Sequence, residues 1–284
     1  MRIAQISDTH LSDRHGFFVE NFLRVTDAIN AWQPDLVIHT GDLTINGAER
    51  GQDIGYAMDA MRQINAPVLV LPGNHDVGEE PGFMQLDQPT TAESLARYRS
   101  IAGDDRWAID AGAWRLIGIN AQLLGTGLAA ERSQALWFQE ELDAATSRQI
   151  GVFLHKPLFF PRNLKGRTPG SIFVPAGVRA RMFSQLLRAG VRFVSSGHLH
   201  KYLDISVAGV RWIWAPATAY RSGLNIGVGR PSLGFLKIEL EDSDFSIDLV
   251  EPDGMVRQKL SSLKGGERFL KDAPPQPSAS LPAD

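Results

Sequence analysis

Short apolar, β-branched runs alternate with longer helix-like stretches along most of this 284-residue chain. That rhythm belongs to layered α/β architecture with largely buried strands. The predicted strands are 2–6, 36–39, 68–71, 114–119, 151–154 and 192–195, with helices predicted near 20–32, 52–64, 91–101, 133–145 and 176–189. Beyond residue 200 the helices stop. Runs at 202–207, 211–215, 232–240 and 245–249 follow at close spacing, as in a mostly antiparallel sheet. No fixed-period repeat or linker-like break interrupts the chain before its Pro/Ser/Ala-rich end. Residues 1–264 are therefore expected to form one domain and 265–284 a mobile tail with little to bury.

In open α/β sheets, ligands bind beyond the carboxyl ends of the strands, and this chain concentrates its chemistry there. The first strand ends in Ser7-Asp8-Thr9-His10, the second in Thr40-Gly41-Asp42 and the third in Gly73-Asn74-His75-Asp76. The run 151–154 ends in His155, and 192–195 leads to Gly197-His198-Leu199-His200. Five of the seven histidines fall in these clusters, which core packing alone does not explain. Asp8 and His10, like His198 and His200, are two apart, so extended backbone would project each pair to one side. Gly41, Gly73 and Gly197 each precede a candidate ligand, removing a Cβ where backbones crowd around a small object. Taken singly these residues are ordinary turn formers or helix caps. In this order, at successive strand ends, they point to a metal site. His39 lies inside a strand and reads as a satisfied core histidine, and His15, in a loop at the mouth, has no assigned role.

Composition narrows the chemistry. The chain has no cysteine, which excludes disulfides, thiolate metal sites and cysteine nucleophiles, so a metal must use oxygen and imidazole nitrogen. A net charge of −3 gives no footprint for a long nucleic acid or an anionic membrane. No segment approaches the ~18–20 apolar residues of a membrane span. The start of the sequence passes straight into a strand pattern, so a cytoplasmic location is the expectation. A small-molecule substrate fits best, and a homo-oligomer is compatible.

The ordered set D-x-H, G-D, G-N-H-[DE], H and G-H-x-H, running from Asp8 to His200, resembles the calcineurin-like metallophosphoesterases. The resemblance implies a two-sheet β-sandwich flanked by helices, with a binuclear metal site at the strand carboxyl ends. Carried over position by position, it implies that Asp8, His10, Asp42 and His200 hold one metal. Asp42, Asn74, His155 and His198 would hold the other, with Asp42 bridging. Ligands of this kind suit Mn or Fe, with Zn or Co compatible. Two such ions ~4 Å apart lower the pKa of a bound water and stabilise in-line displacement at phosphorus. His75 would then face the substrate as acid, with Asp76 orienting it.

Surrounding residues bear on the subfamily. GDLTING lacks the arginine of protein Ser/Thr phosphatases, Leu43-Thr44 stands where purple acid phosphatases carry a tyrosine ligand, and His75 stands where UDP-diacylglucosamine hydrolases have arginine. SDTHLS, GDLT and PGNHD resemble the class III cyclic nucleotide phosphodiesterase group. The expected activity is hydrolysis of a small phosphodiester, of the cyclic nucleotide or glycerophosphodiester class. A phosphomonoesterase or broad-specificity phosphatase of the same fold is the alternative, and a non-catalytic metal-binding scaffold is disfavoured by His75 and the full ligand set. The group often reads H-H-P-P, but this chain reads His155-Lys156-Pro157-Leu158. Lys156 can touch a substrate phosphate or turn to solvent, and solvent is favoured. Long loops at 156–177 and 217–234 supply Lys156, Phe160, Tyr220 and Arg221 as substrate-binding candidates. Residues 46–55, NGAERGQDIG, match no phosphate-binding motif.

Overall fold

Alternation sorts the side chains of β1 (Arg2–Ile6) into two layers: Ile3 packs toward a second sheet, while Ala4 and Ile6 pack under helices. The same division runs through β2 (Leu36–His39), with Leu36 and Ile38 on one side and Val37 on the other. A computed structural model describes residues 1–79, 88–145, 147–158, 172–222 and 226–257. The 265–284 segment and Phe160 lie outside the described residues.

Parallel β1, β2 and β3 (Val68–Val70) form the core of a five-stranded sheet, extended antiparallel by β11 (Phe235–Leu240) and β12 (Phe245–Val250). The second sheet has seven strands in the order β10-β8-β9-β7-β6-β5-β4. Its parallel centre is β5 (Trp114–Ile119), β6 (Gln149–Leu154), β7 (Val191–Ser196) and β9 (Val210–Trp214). Antiparallel β4 (Trp107–Ala111) borders one side, and β8 (Lys201–Val207) with the short β10 (Arg230–Pro231) the other. Ile3, Ile38, Trp114, Phe153, Phe193 and Leu236 fill the space between the sheets.

Helices cover both outer faces. On the first lie α1 (Val19–Trp32), α2 (Gly51–Met61) and α4 (Ala92–Ala102). α1 buries Phe22, Val25 and Ile29 at helical spacing and ends at Gln33 in the left-handed region. On the second face, α5 (Ala129–Ala144) contributes Phe138 and Leu142, and α6 (Ala176–Arg188) contributes Met182 and Leu186. The expected two-sheet sandwich flanked by helices is therefore present. Among the described residues, no helix is long and apolar enough to cross a membrane.

Three local readings change. β4 was not anticipated, because WAIDA is an edge strand whose residues are mostly half-buried; Gly112, at φ 60°, turns it into β5. The third strand stops at Val70, and Asn74–Val77 wind into a helical turn, α3. The 46–55 segment is largely the approach to α2 and its first turn.

Candidate metal centre

The carboxyl ends of β1, β2 and β3 in one sheet meet those of β6 and β7 in the other. Every proposed metal ligand lies at this junction, and each is buried except half-buried His198. The crowding expected at the glycines is real. A Cβ on Gly73 would lie 2.2 Å from Asp42 Oδ1, and one on Gly41 2.6 Å from His155 Nδ1. On Gly197 it would lie 1.9 Å from Ser7 Oγ.

The backbone of the paired ligands is not extended as anticipated. Asp8, His10, Asp42, His198 and His200 all have φ between 46° and 71°, in the left-handed region. Each such residue costs about 1–2 kcal/mol, tolerated best by Asp, Asn and His among non-glycine residues. Strain of this kind persists only where surrounding bonds over-determine it. Here the loops zip together: Asp8 N–H donates to Gly41 O, His10 N–H to Asp42 O and Leu11 N–H to Leu43 O.

Hydrogen bonds also fix which ring nitrogens point inward. His155 Nδ1–H donates to Thr40 O (2.8 Å), His200 Nδ1–H to Tyr220 O (2.9 Å) and His75 Nδ1–H to Ile45 O (2.8 Å). Each imidazole thereby turns its Nε2 toward the centre, which for His155 and His200 is the usual arrangement of metal-ligating histidine. His155 Nε2 faces Asn74 Oδ1 at 3.2 Å, Asp42 Oδ2 at 3.3 Å and His198 Nδ1 at 3.2 Å. His200 Nε2 faces Asp8 Oδ1 at 3.2 Å and His10 Nε2 at 3.3 Å. Lone pairs facing lone pairs call for a cation between them. Asp42 completes both groups: its Oδ2 lies 3.3 Å from His155 Nε2 and 3.8 Å from His10 Nε2, while Oδ1 accepts from His75 N–H. Ligand atoms converge in three sets, Asp8–His10–His200, His10–Asp42–His75 and Asp42–His155–His198. The residues present fit two divalent ions.

Charge tells the same story. Burial pushes His10 down to about 3, assisted by His75. Burial and the neighbouring His155 and Lys156 do the same to His198. His155 goes the other way, to about 9, because the Asp42 carboxylate outweighs the cost of burial. Asp8 and Asp42, though buried, stay ionised under the pull of His200 and His155 respectively. The pocket demands positive charge, and a proton on His155 is its cheapest substitute for a metal.

Two expected roles are corrected. Asp76 does not orient His75, whose ring is held by the Ile45 carbonyl. Instead its carboxylate accepts from Leu43, Thr44 and Gly73 N–H and from Thr44 Oγ1, stapling the second and third ligand loops together. Burial and nearby Asp42 push Asp76 up to about 6, against those four donors. Lys156 does not reach solvent: it is fully buried, and its Nζ donates to Glu79 Oε2 at 2.6 Å. Tyr220 is also buried, its ring 4.3 Å from His200 and 5.2 Å from His10. Arg221 points away to donate to Pro231 O.

His39 is the satisfied core histidine expected. Gly41 N–H donates to its Nδ1, its Nε2–H donates to Thr9 Oγ1, and Thr9 Oγ1–H passes on to Leu43 O. Sequence reasoning missed a buried chain beneath the centre. Ser195 Oγ donates to Gln5 Oε1 (2.6 Å), and Gln5 Nε2 to Thr40 Oγ1 (3.1 Å), tying β7, β1 and the His155-holding residue together. Gln5, a polar residue inside an apolar run, was the available signal.

The chain is 28% identical over 159 residues to serine/threonine-protein phosphatase CPPED1 of Mus musculus, covering 54% of this chain and 47% of that protein. It is 29% identical over 167 residues to the glycerophosphodiester phosphodiesterase GpdQ of Enterobacter lignolyticus, covering 55% and 57%. The chain thus spans about half the length of these curated relatives. Purple acid phosphatase PPD1 from yellow lupin shares the fold at a TM-score of 0.66 and 13% identity, over 91% of this chain and 52% of that one. The family model of calcineurin-like phosphoesterases matches residues 1–202. With the ligand loops converging as described, the chain belongs to the calcineurin-like phosphoesterase family.

Proposed function

We propose that this chain is a metal-dependent phosphodiesterase acting on a small diester. Asp8, His10, Asp42 and His200 would hold one divalent ion and Asp42, Asn74, His155 and His198 the other, with Mn or Fe the preferred metals. The observation that carries this reading is Asp42, whose Oδ2 faces imidazoles of both groups. When bound, two such ions supply an activated water and a clamp on phosphate oxygens. The chain's own contribution is orientation and proton transfer. The Ile45 carbonyl holds the Nδ1 proton of His75, so a second proton on Nε2 can pass to the departing ester oxygen and leave a hydrogen-bonded neutral imidazole. Asp42 Oδ1 holds the His75 backbone N–H, and Asp76 fixes the turn that carries it. The relative named as a glycerophosphodiester phosphodiesterase supports the diester class.

A second reading, a phosphomonoesterase, is favoured by the relative named as a serine/threonine-protein phosphatase. The absence of arginine from residues 41–47 weighs against it, because a monoester dianion is ordinarily met by such a clamp. Turnover by the Mn-supplemented protein decides between them, using bis- and mono-p-nitrophenyl phosphate, 2′,3′- and 3′,5′-cyclic nucleotides and glycerophosphodiesters. The expected result is faster hydrolysis of diesters than of the monoester, abolished by chelation. A clear monoester preference, or turnover that survives chelation, overturns the proposal.

A further inference from the structure

An unbroken line of rings leads outward from the metal ligands. The Tyr220 ring lies 4.3 Å from His200 and 5.2 Å from both His10 and Phe18. Phe18 lies 6.2 Å from Phe17, and Phe17 stacks on His15 at 5.7 Å with only 15° between the planes. Phe17 is the one partly exposed member of the small cluster it forms with Phe18, Ile45, Ala219 and Tyr220. Each of the other four touches the centre. Ile45 O holds His75, Ala219 N–H donates to Asp8 O, Tyr220 O holds His200 and Phe18 packs 6.3 Å from His10. Phe17, the partly exposed end of this line, is thus joined to the site through Phe18. Behind it, His15 is 96% shielded, yet its Nδ1 has no hydrogen-bond partner. Burial and nearby Arg14 and Arg50 push that imidazole toward its neutral form, and it backs Phe17 as a flat plate.

We propose that Phe17, backed by His15, is the seat for a flat substituent of the substrate, and that the preferred diesters carry a nucleobase. This rests on the phosphodiesterase reading above and narrows its substrate class. A nucleobase stacked on a partly exposed ring gains affinity whatever its sequence identity, because every base has a π-face. A glycerol or choline ester has no such face and gains nothing there.

The test uses the Mn-loaded full chain and two ligands, AMP and glycerol 3-phosphate, with calorimetric affinities measured for the natural protein, Phe17→Ala and Phe17→Trp. AMP is expected to bind the natural protein about tenfold more tightly than glycerol 3-phosphate. Phe17→Ala should erase most of that margin with glycerol 3-phosphate unchanged, and Phe17→Trp should keep it. KM for 2′,3′-cyclic AMP should rise in Phe17→Ala by the same factor, while KM for a glycerophosphodiester stays put. No AMP margin in the natural protein, or equal losses for both ligands, overturns the seat. A margin lost in Phe17→Ala, but with no diester hydrolysed by the natural protein, upholds the seat and overturns the phosphodiesterase reading.

Discussion

On the ligand assignment proposed above, the two halves of the metal centre share Asp42 but are otherwise unlike. The first sets two carboxylates, Asp8 and Asp42, beside His10 and His200, and each of these four residues has a left-handed backbone. Its outer wall is aromatic, formed by Phe18 and Tyr220. The second adds to Asp42 only the neutral amide of Asn74 and two imidazoles, and the buried Lys156 cation stands close enough to help push His198 down. One half is anionic, and all four of its residues are held in the left-handed region; in the other only Asp42 and His198 are. That second half is nearer neutrality, with Asn74 on a helical turn and His155 just past a strand end. Coulomb's law then gives the expected ranking: an ion in the first half should be held more tightly, and one in the second should exchange more readily.

Breaking the shared element should have the largest effect. Asp42→Asn is expected to lose both ions and bring turnover to background, read by metal analysis alongside a bis-p-nitrophenyl phosphate assay. Retention of one full equivalent with half the activity would mean the halves are independent. His75→Ala comes next, with a rate loss of roughly 10²–10⁴-fold that shrinks for good leaving groups such as p-nitrophenolate, while both ions stay. The His75 ring lies 4.6 Å from His10, so loss of the first ion in this variant would reassign His75 as a ligand.

Lys156→Met probes the second half through stability. Removing the ammonium that faces the buried Glu79 carboxylate should cost about 3–5 kcal/mol in denaturant unfolding, whereas the double change Lys156→Met with Glu79→Met should recover most of it. Equal losses in the single and double variants would mean the pair contributes packing and not charge. The smallest effect concerns metal affinity. Under graded chelation the second ion should leave first, and Asn74→Asp should tighten it on the order of tenfold. If both ions leave together in the natural protein, the ranking by charge is wrong.

The ligands were legible because their chemistry is written as residue types at fixed places: a carboxylate, amide or imidazole just past each apolar run. Their conformation was not. Asp8–His10 and His198–His200 suggest extended backbone by spacing, while hydrogen bonds to loop 41–45, Ala219 and Asp8 help to hold them left-handed. Asp76 and Lys156 were misread for one reason. A charged side chain in a loop looks solvent- or substrate-facing until its buried partners, Thr44 and Glu79, are known. The carbonyls of Thr40, Ile45 and Tyr220 that set the imidazoles leave no trace in sequence, since every residue carries one. The layered architecture followed from apolar alternation, and the edge strand β4 was missed where burial fades.

The bond from His198 N–H to the Asp8 carboxylate joins residues 190 positions apart on opposite sheets. The same seam carries Asp42 against His155 and Asp8 against His200. Ions held across such a seam act as clasps on the sandwich. By mass action, an ion at a hundred times its dissociation constant adds about 2.7 kcal/mol to global stability. The melting temperature of this protein should therefore track free metal concentration, and stripping the ions should loosen the packing between the sheets as well as stop the chemistry.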